Sequence, residues 1–280
     1  DGDVDVLGMA RGADDVTWWE NDGSETFTEH TIEGDFDHAY SVYATDIDFD
    51  GDVDVLGSAR RDDDVTWWEN DGSESFTENS IDNNFDGAET IYAADIDGDG
   101  DIDILGASNE DDDIVWWENT ATFSFTPSWT SRSVTTSPDG PNSVHAADLD
   151  NDGDLEVVAA MKSGMVYIFH HDATLFNGFP TNLSGNIESS PAIGDLDNDG
   201  DYEIAFGTTS GLQVFDIKTD KGNRHSWKLH RGNLERSGLY DITLTSIDPK
   251  ADIIPDKFYV SPNYPNPFNP VTTIKYGLNT

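Results

Sequence analysis

The feature that most restricts the fold of this chain is an internal repeat of about 49 residues. When residues 1–49 are laid over residues 50–98, 34 of the 49 positions carry the same amino acid. Spacings of 49, 53 and 47 residues then separate the equivalent aspartates Asp50, Asp99, Asp152 and Asp199. Self-similarity at a nearly fixed period is the signature of a repeat architecture. We therefore expect five units, of which the first lacks its opening segment.

Each unit is predicted to contain four short β-strands. Within one repeat they lie at about 41–46, 53–59, 64–69 and 75–81. These segments combine alternating polarity, β-branched and aromatic residues, and flanking Gly, Asn or Asp, and none has an apolar period of 3.6 residues. A unit of this length with four strands has the size of a propeller blade. The sequence thus predicts an all-β chain, a β-propeller of four-stranded blades.

The predicted domain organisation has three parts. Propeller repeats occupy residues 1–240, a linker residues 241–257, and a short β tail residues 258–280. The predicted units of the propeller are 1–45, 46–94, 95–147, 148–194 and 195–240. Because "DGDVDVLG" at the start of the chain repeats residues 50–57 letter for letter, we expect that further blades precede this fragment.

Paired tryptophans recur in the segment "WWEN". They are Trp18, Trp19, Trp67, Trp68, Trp116 and Trp117. Because both faces of a propeller blade are covered by its neighbours, both members of a pair can be buried. We expect packing between blades, and the alternative is a surface that stacks on sugars. The acid runs 62–64 and 111–113 lack the alternating spacing of a ligand loop and are expected to be solvated hairpin turns.

The charge balance excludes two classes of partner. The chain carries 57 Asp and Glu against 14 Lys and Arg, a net charge of -43. Nucleic acid and anionic membrane surfaces require clustered positive charge, so neither is expected as a partner. No apolar run reaches the roughly 18 residues of a membrane span. Cysteine is absent from the chain, so disulfides cannot stabilise the fold and the natural counterpart is a cation.

Four acidic loops share the pattern D-x-D-x-D-G-D-x-[DE], at 46–54, 95–103, 148–156 and 195–203. In a tight loop the acids at positions 1, 3, 5 and 9 can surround an ion, and position 7 can add its backbone carbonyl. Hard oxygen donors in that number suit Ca²⁺, and Gly at position 6 permits the positive φ of a tight turn. The predicted ligands of about four Ca²⁺ ions are Asp46, Asp48, Asp50, Asp52, Asp54, Asp95, Asp97, Asp99, Asp101, Asp103, Asp148, Asp150, Asp152, Asp154, Glu156, Asp195, Asp197, Asp199, Asp201 and Glu203.

The loops are not EF-hands. That motif needs a bidentate Glu at position 12 and flanking helices. Position 12 is instead occupied by Gly57, Gly106, Ala159 and Phe206, and the segments after the loops have strand character. An acidic surface turn of a salt-adapted protein is the alternative, but it would not place Gly and the acids in one register four times.

The loops and the strands after them resemble the FG-GAP/VCBS repeats of integrin-α-type β-propellers, over about residues 1–240. The resemblance implies that each loop joins the first two strands of a blade and binds Ca²⁺. Such propellers commonly have seven blades, whereas about five are expected here.

The C-terminal tail resembles the start of the type A sorting domain used in type IX secretion. The match lies in the segment Asn263, Tyr264, Pro265, Asn266, Pro267, Phe268, Asn269 and Pro270, and the alternating segment "TTIKYGL" after it predicts a strand. The resemblance implies that the type IX secretion machinery is a partner and that the protein is secreted or held on the cell surface, outside the outer membrane.

The function favoured by these patterns is a non-catalytic, calcium-binding propeller for adhesion or for binding a protein or glycan ligand. No catalytic residues are identified, because no nucleophile motif occurs and the seven His lack zinc-type spacing. As adjacent strand residues, His170 and His171 are expected to face opposite ways. The alternatives are a polysaccharide lyase or hydrolase and a sugar-binding lectin, so the enzyme question stays open with a binding role favoured.

Overall fold

A computed structural model describes residues 3–121, 126–135, 139–196, 201–217, 259–260 and 276–277. It divides the chain into two compact units, Asp1–Trp227 and Lys228–Thr280. In the second unit the described residues form one antiparallel pair of strands, β19 (Tyr259–Val260) with β20 (Tyr276–Gly277). The predicted linker at 241–257 and the sorting motif at 263–270 lie outside the described residues. Among the described residues there is no helix that is long and apolar enough to cross a bilayer.

The described residues of the first compact unit, Asp1–Trp227, form five antiparallel sheets that follow one another along the chain, here named sheets 1 to 5. Sheet 1 consists of β1 (Val6–Ala10), β2 (Asp15–Asn21) and β3 (Phe27–Glu33). Sheet 2 consists of β4 (Ala39–Thr45), β5 (Asp54–Ala59), β6 (Asp64–Asn70) and β7 (Phe76–Asp82). Sheet 3 consists of β8 (Ala88–Ala94), β9 (Asp103–Ser108), β10 (Asp113–Asn119) and β11 (Trp129–Thr135). Sheet 4 consists of β12 (Pro141–Ala147), β13 (Glu156–Met161), β14 (Met165–Phe169) and β15 (Thr181–Asn182). Sheet 5 consists of β16 (Ala192–Gly194), β17 (Tyr202–Thr208) and β18 (Gly211–Ile217).

The prediction of an all-β chain is confirmed, and the sheets are small and antiparallel, with the predicted four strands in sheets 2, 3 and 4 and three described strands in sheets 1 and 5. In sheet 2 each strand lies within two residues of its predicted position. Each sheet is a meander in which sequence neighbours pair, and the succession of small sheets is consistent with propeller blades. The predicted units begin at the acidic loops, whereas each four-stranded sheet begins one strand earlier. The acidic loop therefore connects the first two strands of a sheet.

The first strands of successive sheets contact one another, β4 with β8 and β8 with β12. Their contacts are aromatic and polar. The ring of Tyr43 packs edge-on against that of Tyr92, with centroids 5.6 Å apart, and Tyr92 packs in the same way on His145 at 4.5 Å. The Tyr43 hydroxyl also donates a hydrogen bond to the Ala93 carbonyl at 2.9 Å. The same register position of three sheets thus forms one continuous line of contacts.

The paired tryptophans of sheets 2 and 3 lie in the core, as expected. The side chains are at most 6% exposed at Trp67, Trp68, Trp116 and Trp117. Space for one ring comes from a glycine on the neighbouring strand, because a Cβ at Gly106 would lie 2.5 Å from Trp117 Cζ3. In sheet 1 the rings of Trp18 and Trp19 are half-buried. Burial of the four rings of sheets 2 and 3 makes them inaccessible to a sugar.

The acid runs at the hairpins do more than face solvent. They do form hairpin turns, at residues 60–63 and 109–112, but one carboxylate of each turn bonds to the backbone at the start of the next sheet. Asp63 Oδ1 accepts from the Gly87 N–H at 3.2 Å and Asp112 Oδ1 from the Gly140 N–H at 2.8 Å. The sequence interpretation as solvated turns was therefore incomplete. Charge and turn propensity are local properties, whereas the partner amide belongs to another sheet.

Candidate metal centre

The acidic loops are tight turns between the first and second strands of sheets 2, 3 and 4. Gly at position 6 has a positive φ in all three, between 101° and 107°, as predicted. Position 4 has a positive φ as well, at Phe49, Gly98 and Asn151. Two residues in this conformation two positions apart curl the chain, so that alternate side chains point to a common centre.

The structure brings together the carboxylates at positions 1, 3 and 5. One oxygen from each side chain lies within 4.8 Å of the others in three loops. The three groups are Asp46, Asp48 and Asp50; Asp95, Asp97 and Asp99; and Asp148, Asp150 and Asp152. Atoms on opposite sides of an ion at about 2.4 Å lie about 4.8 Å apart, so this spacing suits a single Ca²⁺.

Position 1 presents a buried oxygen to this centre. Asp46 Oδ2 and Asp95 Oδ2 each accept a hydrogen bond from the position 6 amide at 3.1 Å. The other oxygen of each, Oδ1, is buried and has no hydrogen-bond partner among the residues that the structure describes. At position 3 of the third loop, Asp150 Oδ1 is likewise buried and without a hydrogen-bond partner among the described residues. A buried carboxylate oxygen without a partner is costly, and a cation in the loop would satisfy it.

Position 9 has a different environment from positions 1, 3 and 5. Asp54 is fully buried, and its Oδ2 accepts from the Ile47 N–H at 2.9 Å while its Oδ1 accepts from the Asn70 N–H at 2.9 Å. Asp103 makes the same two bonds in the next loop, to Ile96 and Asn119. This carboxylate fastens the start of the loop to the neighbouring hairpin. Its predicted role as a ligand stays a prediction.

The Asn of "WWEN" is a site residue that sequence reasoning missed. Asn70 gives its backbone N–H to Asp54, and its side-chain amide donates to the Val53 carbonyl at 3.1 Å. Asn21 makes the equivalent pair of bonds in sheet 1, to Asp5 and Val4. Its recurrence beside the tryptophans was the available signal, but the sequence gives no direct link to a loop 16 residues away.

Burial makes the ionised carboxylates unfavourable in the absence of a cation. It raises the pKa of Asp48 to about 6, and the charges of Asp50 and Asp54 add to the effect. Burial also raises the pKa of Asp103 to about 7, against the opposing hydrogen bonds from two backbone amides. The pKa values of Asp95 and Asp97 are raised for the same reason, burial first. A bound cation would offset this cost.

The fourth loop is described only in part. Residues 197–200, with Asp197 and Asp199, lie outside the described residues. Glu203 Oε2 accepts from the Leu196 N–H at 2.5 Å, so position 9 fastens this loop as it fastens the others. At position 7 the predicted ligand is the backbone carbonyl. This role stays a prediction in all four loops, for Asp52, Asp101, Asp154 and Asp201.

The third loop has two histidine neighbours. His170 Nδ1 lies 3.0 Å from Glu156 Oε1, and His171 Nδ1 lies 3.1 Å from Asp154 Oδ2. The premise that both are strand residues was wrong, because β14 ends at Phe169 and neither histidine belongs to a strand. Strand alternation ceases to apply beyond the last paired residue.

The donor set of these loops suits a hard divalent cation. It consists of carboxylate and carbonyl oxygens, with a buried oxygen that has no partner at positions 1 and 3. Ca²⁺ prefers such donors and tolerates irregular geometry. The residues present therefore fit a metal ion, and they would hold it by positions 1, 3 and 5.

Comparison with known proteins identifies the repeats. The model of the FG-GAP-like repeat family matches residues 1–57, 50–106, 95–159 and 150–206. Together these matches cover residues 1–206 of the 280. No curated protein matches the chain in sequence.

Several solved structures are similar to this chain at low sequence identity. The V. cholerae biofilm matrix protein Bap1 is 18% identical with a TM-score of 0.48, over 73% of this chain and 31% of Bap1. BBS1N, solved in complex with ARL6DN, is 15% identical with a TM-score of 0.45, over 64% of this chain and 51% of that protein. The computationally designed Ika8 is 12% identical with a TM-score of 0.47, over 75% and 57%. The chain thus spans between 31% and 57% of the length of these proteins.

Proposed function

We propose, because this chain belongs to the FG-GAP-like repeat family, that it is a calcium-stabilised β-propeller domain of a secreted or cell-surface bacterial protein. Its role is non-catalytic: adhesion, or the binding of a protein or glycan ligand. The observation that carries the proposal is the triple recurrence of three converging carboxylates, with a buried oxygen that lacks a partner, in the same turn of successive sheets.

Calcium has a structural task in this proposal. The chain carries a net charge of -43 and no cysteine, so neither disulfides nor balanced ion pairs offset the repulsion among its acids. At an ion concentration about tenfold above the dissociation constant, each site adds roughly 1.4 kcal/mol to the stability of the folded state. Several such sites together are comparable to the net stability of a domain.

Thermal unfolding tests the calcium role. The melting temperature is measured in excess chelator and then in millimolar Ca²⁺, with Mg²⁺ at the same concentration as the control for ionic strength. We expect a rise with Ca²⁺ that exceeds the rise with Mg²⁺, because Mg²⁺ demands a smaller octahedral shell. An unchanged melting temperature after chelation would refute the proposal.

Ligand assays separate the binding role from the alternatives. A glycan array supports the lectin if it gives dose-dependent binding, and release of unsaturated products from polyuronates establishes a lyase. The burial of Trp67, Trp68, Trp116 and Trp117 leaves little stacking surface for the lectin. We expect neither assay to respond while Ca²⁺ still stabilises the fold, which is the result that favours a scaffold or protein-binding role.

The sorting tail completes the proposal with a route of export. Its motif at 263–270 would direct the chain to the type IX secretion machinery. The chain, fused to an export signal for the inner membrane, is expressed in a bacterium that has this machinery, with and without residues 258–280. We expect the complete chain in the medium or on the cell surface and the shortened chain in the periplasm. Equal export of both chains would contradict this route.

A further inference from the structure

We propose that the third acidic loop, residues 148–156, forms with His170 a site for a divalent transition-metal ion, which distinguishes it from the oxygen-only loops at 46–54 and 95–103. The inference rests on the proposed function in one respect, that the acidic loops bind metal. It adds that one loop of the chain has a different metal preference, because its donor set includes an imidazole nitrogen.

The ligand atoms are already close together. One atom each from Asp150, Glu156 and His170 lies within 4.8 Å of the others. Asp150 also belongs to the group with Asp148 and Asp152, so the two groups share this residue. The Oδ1 atom of Asp150 is buried and has no hydrogen-bond partner among the described residues, which leaves it available to an ion.

The distance between His170 and Glu156 suits a shared ion. Nδ1 of His170 and Oε1 of Glu156 are 3.0 Å apart. Two donor atoms that each lie about 2.1 Å from one ion, at the tetrahedral angle typical of Zn²⁺, are separated by about 3.4 Å, so a movement of a few tenths of an ångström would let both atoms bind one ion. The Glu156 side chain is fully buried and that of His170 is 29% exposed, so the imidazole lies at the edge of the site, where an ion can enter.

The other sheets carry a different residue at the position of His170. In each sheet the first residue after position 9 is apolar and pairs with a residue of the next strand. The residue that directly follows this pairing partner in the sequence is, in chain order, Glu20, Glu69, Glu118, His170 and Asp216. Four of the five are acids, and only the site next to the third loop carries an imidazole.

The residue at the position equivalent to His170 lies close to the acidic loop of its sheet. In the first loop the pKa of Asp48 is raised by burial and, to a smaller extent, by the charge of Glu69. In the second loop Asp97 has Glu118 as a similar neighbour. The acid at this place is therefore near enough to position 3 to raise its pKa. Its replacement by His170 removes one negative charge from the surroundings of the ion and supplies a nitrogen donor.

The chemistry of the donors decides the preference. Imidazole suits Zn²⁺ and other first-row transition metals, whereas carboxylates, carbonyls and water suit Ca²⁺ and Mg²⁺. A loop with one nitrogen and several carboxylates is expected to favour an ion such as Zn²⁺, for which it would be the strongest site among the three described loops.

Calorimetric titration with Zn²⁺ tests the inference, on the full chain without a histidine tag and in millimolar Ca²⁺. We expect one Zn²⁺ site in the wild type and a loss of at least about tenfold in affinity in His170→Glu. That variant restores the acid of the other sheets, so it should fold and keep its Ca²⁺-dependent melting temperature. His171→Ala is the matched control, and its Zn²⁺ affinity is expected to stay that of the wild type.

X-ray absorption at the zinc edge gives a second readout. The scattering pattern of an imidazole ligand should be present in the wild type and absent in His170→Glu. Equal zinc affinity in these two proteins, or no imidazole signal, would overturn the inference and reduce the contact between His170 and Glu156 to a hydrogen-bonded pair. Failure of the calcium proposal is separate: Ca²⁺ would then leave the melting temperature unchanged, whatever the zinc titration gives.

Discussion

The Asp112 carboxylate accepts a hydrogen bond from the backbone N–H of Gly140 at 2.8 Å, and this bond joins a hairpin of sheet 3 to the start of sheet 4. Both residues have a positive φ, 56° and 61°. The same bond recurs between Asp14 and His38, and between Asp63 and Gly87. At three successive junctions, one acid of a hairpin thus bonds to the backbone at the start of the next sheet.

Removing this junction should weaken the fold. Asp112→Ala leaves the Gly140 amide without its partner. It also places alanine in the left-handed backbone conformation, which Asp and Asn tolerate better. We expect a loss of about 1–3 kcal/mol in the free energy of unfolding, measured by urea denaturation. Asp112→Asn keeps an acceptor and tolerates this backbone conformation, so it should lose clearly less. Equal losses in the two variants would show that the hydrogen bond has no part in stability.

A substitution in the first acidic loop should change stability in opposite directions with and without calcium. Asp48→Asn removes a buried charge from a site where burial raises the pKa to about 6. In chelator the variant should be as stable as the wild type or more so. In Ca²⁺ it should lose the contribution of one site, roughly 1.4 kcal/mol at an ion concentration tenfold above the dissociation constant.

The control for this pair of measurements is Asp52→Asn. Position 7 is predicted to bind through its backbone carbonyl, which the substitution keeps, so the calcium-dependent shift in melting temperature should be that of the wild type. Loss of the shift in Asp52→Asn but not in Asp48→Asn would reverse the assignment of ligands.

The close contact between Gly106 and Trp117 predicts an overpacking defect. A Cβ at Gly106 would lie 2.5 Å from Cζ3 and 2.8 Å from Cη2 of the buried ring. Gly106→Ala should therefore lower the free energy of unfolding by about 1–3 kcal/mol. Gly12→Ala is the control, because an added Cβ there meets no atom within 4 Å. A stability of Gly106→Ala equal to that of the control would mean that the ring moves aside at no cost.

The buried phenol of Tyr92 predicts a loss of stability at alkaline pH. Burial raises the pKa of Tyr92 to about 12, from 10.0. Between these values the unfolded chain loses the proton before the folded protein does, so stability falls as the pH rises. The difference between the two pKa values corresponds to about 2.7 kcal/mol of stability in total. In Tyr92→Phe this part of the decline between pH 10 and 12 should disappear from the unfolding curves. An identical decline in both proteins would contradict the assignment.

Much of the fold could be predicted from the sequence, for a local reason. The strands of sheet 2 follow from alternation and turn residues, properties that act within a few residues along the chain. The repeat then multiplies each signal, since a pattern found in five copies cannot be accidental. The burial of Trp68 and the positive φ of Gly51 and Gly100 were predicted in this way.

What the sequence determined by itself is therefore the repeated strands, the acidic loops and the meeting of positions 1, 3 and 5, because spacing within one tight turn fixes them. Only the tertiary structure shows which residues distant in the sequence contact these strands and loops. The junction of Asp112 with Gly140, the attachment of Asp54 to Asn70, and the approach of His170 to Glu156 each join different strands or sheets. Such contacts depend on strand register and on the packing of one sheet against the next, and neither can be read from the spacing of residues along the chain.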